Sequence, residues 1–294
     1  MPRPCWKRPA GWWNTRPTWS GCVPDSDPLL VATDLDGTLL RADHTVSSRT
    51  RAVVAELAAR GIPVVPVTAR QPKGLRPIAS AVGLTGPAIC GNGAIGMHLA
   101  ANEIWFARPL AADDARALAL RLRGRDPSLL FASVGPAGEW FRAEPEYAVE
   151  AKFADHHRTR NEMELGDLSF VVLDDCAKLI VRRPGVAPEQ LIREFRDEFA
   201  AVEATTSGAP FVEIMGAGVT KASALELLCG RLGVARERVW AFGDAPNDVD
   251  MLRWAGRGFA VANASAEARA AADELVGSNE NDGVASAISA LLGL

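Results

Sequence analysis

The chain has 294 residues, enough for one large domain or two ordinary ones. It is 48% hydrophobic and 23% charged, which excludes a wholly disordered chain and leaves ample apolar material for a core. A net charge of −4 disfavours a protein built to grip nucleic acid, and no apolar run reaches the ~18 residues of a membrane span.

Residues 1–27 stand apart. Four of the eight Trp (Trp6, Trp12, Trp13, Trp19) fall here, with Arg3, Lys7, Arg8 and Arg16 set against Asp25 and Asp27. Pro2, Pro4, Pro9, Pro17 and Pro24 block regular helix, and no apolar segment follows the basic residues, so a secretory signal is not expected. The stretch reads as a disordered extension or as sequence upstream of the native start. The alternative is a Trp/Arg arm that stacks on a partner. The folded part is expected to work without it. Five Cys with no CxxC pair fit a reducing cytoplasm better than a disulfide scaffold.

Order is expected from Leu29. LLVAT (29–33) is a short apolar run of the kind that forms a buried parallel strand. TVSSRTRAVVAELAARG (45–61) reads as a helix with a Ser or Thr cap and Gly61 as its stop. IPVVPVT (62–68) reads as a second strand, 72–82 as a helix and PAIC (87–90) as a third strand, a β-α-β-α-β rhythm. The rhythm then changes. AIGMHL and EIWFAR predict a hairpin, followed by a helix over 113–123 that Gly124 stops, and then strand-like LLFASV, EWFRA and AKLIVRR. An amphipathic helix over 187–199 and the strand pair AVEATT and PFVEIM close this part. The parallel rhythm resumes with a helix over 220–233, a strand RVWAFGD, and further alternating elements to the C-terminus. The expectation is a Rossmann-like parallel α/β core over 28–94 and 213–294, interrupted by an inserted α+β cap over 95–212.

Four clusters fall at the carboxyl ends of predicted core strands, the edge where open α/β sheets bind ligands. Asp34-Leu35-Asp36-Gly37-Thr38 places two carboxylates on one side of extended backbone. One of them can attack while the other handles protons, and Gly37 permits a sharp turn whose N–H groups stay free for phosphate oxygens. Val67-Thr68-Ala69-Arg70 offers a hydroxyl, although a helix cap explains it equally well. Lys221, at the start of a helix, can neutralise a phosphoaspartate. Gly243-Asp244-Ala245-Pro246-Asn247-Asp248 adds two carboxylates and an amide. Carboxylates facing a phosphate require a cation, and oxygen ligands suit Mg²⁺.

With DLDGTLL, VTAR, Lys221 and GDAPND in this order, the sequence resembles the haloacid dehalogenase superfamily of phosphatases. It is most similar to the branch with an α/β cap inserted after the third core strand, the Cof-type sugar phosphatases. CGNGA (90–94) matches that branch's entry into the cap, and the resemblance covers about residues 28–294. It implies that Asp34 is the nucleophile and that Asp36 protonates the leaving group and then activates water. It also implies that Asp34, the backbone carbonyl of Asp36, and Asp244 hold Mg²⁺. Thr68, Lys221 and Asn247 would bind the phosphoryl group, with Asp248, Gly37 and Arg70 in support. Ala69, where the family commonly has Gly, and Pro246 depart from the pattern without removing a chemical group.

The implied activity is Mg²⁺-dependent hydrolysis of a small phosphorylated metabolite. The alternatives are a phosphomutase of the same fold and a catalytically idle phosphate-binding regulator. No nucleic-acid or membrane partner is expected, and the oligomeric state stays open between monomer and homodimer. His44 reads as a surface loop residue, with a place lining the entrance as the alternative, and His98 falls in a cap strand; the run His156-His157-Arg158 with Arg160 reads as a charged loop, with contact with an anionic substrate as the sharper reading. Strand alternation is expected to turn one of Trp105/Phe106 and one of Trp140/Phe141 toward the cleft.

Overall fold

The computed structural model describes residues 27–294, so the extension expected over 1–27 lies outside the described residues except for Asp27. Fourteen strands follow one another. They are β1 (Leu30–Thr33), β2 (Val64–Pro66), β3 (Pro87–Cys90), β4 (Ile95–His98), β5 (Glu103–Ala107), β6 (Leu130–Val134) and β7 (Phe141–Ala143). Then come β8 (Glu164–Leu165), β9 (Lys178–Arg182), β10 (Glu203–Thr205), β11 (Val212–Met215), β12 (Val239–Gly243), β13 (Arg257–Val261) and β14 (Glu274–Val276).

The apolar runs at both ends of the chain build one parallel sheet, ordered β14-β13-β12-β1-β2. β1 and β12 are buried along their whole length, as strands covered by helices on both faces must be. They pair from Leu30↔Val239 to Thr33↔Phe242, which brings residues 34 and 244 to one sheet edge although two hundred residues of chain separate them. The helices form where their caps are. Ser47 accepts from the Thr50 N–H to start Ser48–Ala59, and Thr220 accepts from Ser223 to start Lys221–Leu232, which ends at left-handed Gly233.

β2 is shorter than the stretch expected over 62–68. Pro66 has no N–H to donate, so the ladder ends there, and Val67 and Thr68 carry on by single bonds to Thr33 and Ile89. The Val67↔Ile89 bridge joins the sheet to the antiparallel set β3-β4-β5. The hairpin over 95–107, counted with the insertion, pairs with β3 from Pro87↔His98 to Cys90↔Ile95 and extends the first layer instead.

The second sheet is ordered β10-β11-β9-β6-β7-β8, antiparallel except for β7–β8. Its strands alternate between two cores. Ala132, Val134 and Ile180 face the first layer and merge with its cluster. Phe131, Leu179 and Val181 face the helices Ala112–Arg125 and Pro188–Glu194, in a cluster with Leu118, Leu122 and Leu191. Gly124 does not stop its helix, which runs on to Arg125 and is capped at Asp126. A stopping Gly takes a left-handed conformation, and Gly124 is not among the positive-φ glycines. Among the described residues no helix is long and apolar enough to cross a membrane.

Two glycines test this packing in opposite directions. Gly93 has φ +105°, and an added Cβ would lie 2.2 Å from the Thr220 carbonyl oxygen, so Gly93→Ala is expected to cost roughly 1–3 kcal/mol or more. Nothing lies within 4 Å of a Cβ on Gly124, and Gly124→Ala should gain about 0.5 kcal/mol. Urea midpoints at unchanged slope measure both.

Candidate active site

β1 delivers the first carboxylates. The Asp34 N–H bonds the Phe242 carbonyl of β12 at 2.9 Å, and Leu35 drops into the core between Asp34 and Asp36. Gly37 turns the chain with φ +81°, and a Cβ there would lie 2.5 Å from Asp244 Oδ2, so a side chain at this position would be strained and would displace the Asp244 carboxylate. The turn seats Thr38, whose hydroxyl donates to Asp244 Oδ1 at 2.6 Å.

Lys221 lies between the two halves of the interrupted chain. Its Nζ is 2.6 Å from Asp34 Oδ1 and 2.6 Å from Asp248 Oδ1, and all three residues are buried. Asp248 in turn accepts the Asp244 and Ala245 N–H groups at 3.0 Å each. The ammonium is outnumbered. Asp34, Asp244 and Asp248 present carboxylate oxygens that all lie within 4.8 Å of one another. Burial, opposed by Lys221 and reinforced by the neighbouring carboxylates, pushes Asp34 well above its ordinary range. Burial and then Asp248 push Asp244 up to about 6. Burial works against the charge on Lys221, but Asp248 and Asp34 outweigh it and hold the ammonium protonated. An all-oxygen donor set with excess buried negative charge fits a hard divalent cation.

Asp36 takes another direction. Its carboxylate accepts Arg70 Nε at 2.6 Å and Arg70 Nη2 as well, with His44 Nδ1 3.2 Å away. Burial would raise its carboxyl, but the Arg70 hydrogen bonds and charge overcome that and hold it below the ordinary range. The Asp36 side chain therefore stands outside the carboxylate cluster, where Asp248 joins Asp34 and Asp244.

Thr68 is buried and keeps its O–H free to donate, because Oγ1 accepts the Arg70 N–H at 3.1 Å. Asn247 Nδ2 donates to Asn92 Oδ1 at 3.0 Å, leaving Asn247 Oδ1 and Asn92 Nδ2 buried without partners. With both amides turned over the same contact forms and Asn247 Nδ2 is freed, so either way the pair keeps an unspent donor. Asn92 holds a left-handed backbone with φ 56°. Sequence reasoning saw GNG only as a family landmark and missed this contact.

A cavity of about 300 Å³ joins these groups. Asp34, Asp36, Thr68 and Asn247 line one side, and Lys178 and Glu213 of the second sheet line the other. The histidine run is brought in only in part. His156 and His157 line the cavity, whereas Arg158 is buried against Gln71 at 3.0 Å and Arg160 does not line it. His156 is no cation for a substrate: it stacks on Phe211, contacts the Tyr147 hydroxyl at 2.8 Å, and burial first, then Lys178, lowers it to about 3. His44 lines the cavity and His98 does not. The aromatic pairs are corrected too. Phe106 packs over Gly96, Trp105 lies beside His98, Trp140 lies under Arg142 and Phe141 beside His156, and none of the four lines the cavity. The first pair belongs to the β3-β4-β5 set, away from the roof of the cleft.

The family described as haloacid dehalogenase-like hydrolase matches residues 31–288. The chain belongs to this family. It is 33% identical over 242 residues to the HMP-PP phosphatase of Serratia proteamaculans, covering 80% of this chain and 84% of that protein. It is 28% identical over 270 residues to the 5-amino-6-(5-phospho-D-ribitylamino)uracil phosphatase YitU of Bacillus subtilis, covering 89% and 96%. Among solved structures, the haloalkanoate-superfamily phosphatase BT1666 of Bacteroides thetaiotaomicron shares the fold with a TM-score of 0.77 at 24% identity, over 94% of this chain and 100% of that one. This haloacid dehalogenase-like hydrolase is a phosphoric monoester hydrolase.

The charge crowding has a measurable sign. With Asp244 at about 6 against an ordinary 3.8, the folded, metal-free hydrolase binds that proton more tightly than the unfolded chain. The resulting penalty is present above about pH 6 and is relieved as pH falls toward the ordinary value. In EDTA at pH 7.5, Asp244→Asn should therefore be more stable than wild type by on the order of 1–2 kcal/mol, with the gap closing by about pH 4. Urea unfolding at the two pH values checks this; a variant less stable at pH 7.5 would contradict it.

Proposed function

We propose that this hydrolase is a Mg²⁺-dependent phosphatase that removes the phosphoryl group of a small phosphorylated metabolite, a sugar phosphate or similar, through an aspartyl phosphate on Asp34. The observation that carries the reading is the buried Asp34–Lys221–Asp248 chain beside Asp244, open to a cavity that also holds Thr68 and Asn247. Asp34, Asp244 and the main-chain carbonyl of Asp36 would hold Mg²⁺, with Asp248 beside them. Bound there, the ion supplies the positive charge that lets a carboxylate and a phosphate dianion approach.

The chain's own residues then have separable tasks. Lys221 opposes the burial that disfavours the Asp34 anion and leaves the other Asp34 oxygen for phosphorus, and Asp248 holds Lys221 in place. Thr68 and Asn247 donate to the equatorial phosphoryl oxygens. As the Asp34–phosphorus bond forms, the bond to the leaving alcohol breaks and Asp36 gives that oxygen its proton. Asp36 then takes a proton from water as the water attacks phosphorus, releasing phosphate and restoring Asp34. Asp36 must exchange Arg70 for the leaving oxygen before it can carry a proton, because Arg70 favours its anion. The inserted sheet would act as a cap that roofs the cleft and excludes bulk water. The named substrates of the two relatives, both small phosphorylated compounds, support the substrate class. Cys90, Cys176 and Cys229, free and buried, are compatible with action in the cytoplasm.

Phosphate release from p-nitrophenyl phosphate tests the reading and separates a phosphatase from a mutase. EDTA should abolish turnover, Asp34→Asn should lower kcat at least about 1,000-fold, and Asp36→Asn by roughly 100-fold or more. Turnover by Asp34→Asn at the wild-type level would reject Asp34 as nucleophile.

A further inference from the structure

The turn that carries Thr68 and Arg70 is tied down almost entirely from its own layer. The Thr68 N–H bonds Ile89, its carbonyl accepts from Asn92, its hydroxyl accepts from the Arg70 N–H, and the Arg70 carbonyl accepts from Gly91. The carbonyl between them, on Ala69, is met from across the cleft by Lys178 Nζ at 3.1 Å. Lys178 opens β9 of the inserted sheet and is 4% exposed. Glu213 stands opposite Ile180, two residues along from Lys178, so both charged side chains share the sheet face that looks into the cavity. Glu213 pairs with the ammonium through one oxygen and accepts the Ser207 hydroxyl at 2.6 Å through the other.

Burying such an ion pair costs desolvation that apolar packing would avoid, so stability alone does not account for it. What the pair achieves is reach. Glu213 fixes the ammonium on the inserted sheet, and the remaining donor capacity of the ammonium spans the cleft to the one peptide between Thr68, which would hydrogen-bond the phosphoryl oxygens, and Arg70, which clamps Asp36. Two neighbouring contacts run the same way: Arg158 to Gln71 and Glu162 to Lys73. These contacts lie at the start of the following helix, whereas Lys178 touches the turn itself.

We propose that Lys178 is a positioning residue for the phosphoryl-transfer step, holding the Thr68–Arg70 turn through the Ala69 carbonyl whenever the inserted sheet closes over the cleft. It rests on the phosphatase reading and adds a residue none of the four motifs contains. Lys178 acts on kcat through the geometry of Thr68 and Asp36, and it acts whatever the leaving group is. A residue that bound the leaving group would act on KM and would distinguish large substrates from small ones.

The test uses acetyl phosphate and p-nitrophenyl phosphate with the full chain and Mg²⁺. Two variants are compared, Lys178→Met and the double variant Lys178→Met/Glu213→Gln, which leaves no unpaired buried carboxylate. Thermal melting confirms that the double variant is folded. Both variants are expected to lose about 10- to 100-fold in kcat on both substrates, with KM within about threefold of wild type. A loss confined to KM, or to p-nitrophenyl phosphate, would overturn positioning in favour of substrate contact. Recovery of wild-type kcat in the double variant would overturn it in favour of packing alone. A wild-type protein inert toward both substrates would instead overturn the phosphatase reading, and the role of Lys178 with it.

Discussion

One buried ammonium holds the site together. Lys221 stands between Asp34, at the end of β1, and Asp248, beyond the end of β12. Without it three carboxylates would share one buried space, and the ends of β1 and β12 would repel where they lie side by side. The ammonium is itself set by a helix start. Thr220 and Ser223 satisfy each other's backbone N–H groups, so the first turn is fixed and Lys221 enters the site from a stationary point. Gly93 lets the chain leaving β3 pass against the Thr220 carbonyl, and the same constraint therefore reaches the third strand.

The interrupted layout follows from this arrangement. β1 and β12 must be neighbours to bring Asp34 and Asp244 together, yet nothing requires them to be close in sequence. The chain between them is free to build a second sheet, provided that sheet returns over the same edge. It does so with one face apolar and continuous with the first core, and with Lys178 and Glu213 on the part of that face above the cavity. Its opposite face is closed by its own helices, so the roof is packed independently of the floor.

The motifs that converge on the cavity were legible in the sequence because each is local. An apolar strand followed at once by DLDGT or GDAPND places its carboxylates at the strand end whatever the rest of the chain does. Helix limits were legible where a cap residue marks them, as at Ser47 and Gly233, and misread at Gly124, where the residue type was present without the left-handed conformation. What was not legible depends on partners distant in sequence. The hairpin over 95–107 has the pattern of any half-buried hairpin, and only its pairing with β3 assigns it to the first layer. Lys178 and Glu213 look like alternation errors in apolar strands until both are seen on one face. Asn92 carries no signal of its own beyond two flanking glycines, since its contact with Asn247 spans 155 positions.

Asp34 and Asp36 show how far environment separates two identical side chains. They are two residues apart and face one cavity, yet burial drives Asp34 toward its neutral form while Arg70 drives Asp36 toward its anion. These directions are opposite to those that attack by Asp34 and proton donation by Asp36 require. A divalent cation among Asp34, Asp244 and Asp248 would offset the crowding that disfavours the Asp34 charge, and in the proposed reaction a leaving-group oxygen would have to displace Arg70 before Asp36 could hold a proton. Neither condition is met by water alone. In the proposed reaction cation and substrate would meet these two conditions together, and a cation there would balance the excess buried carboxylate at this sheet edge.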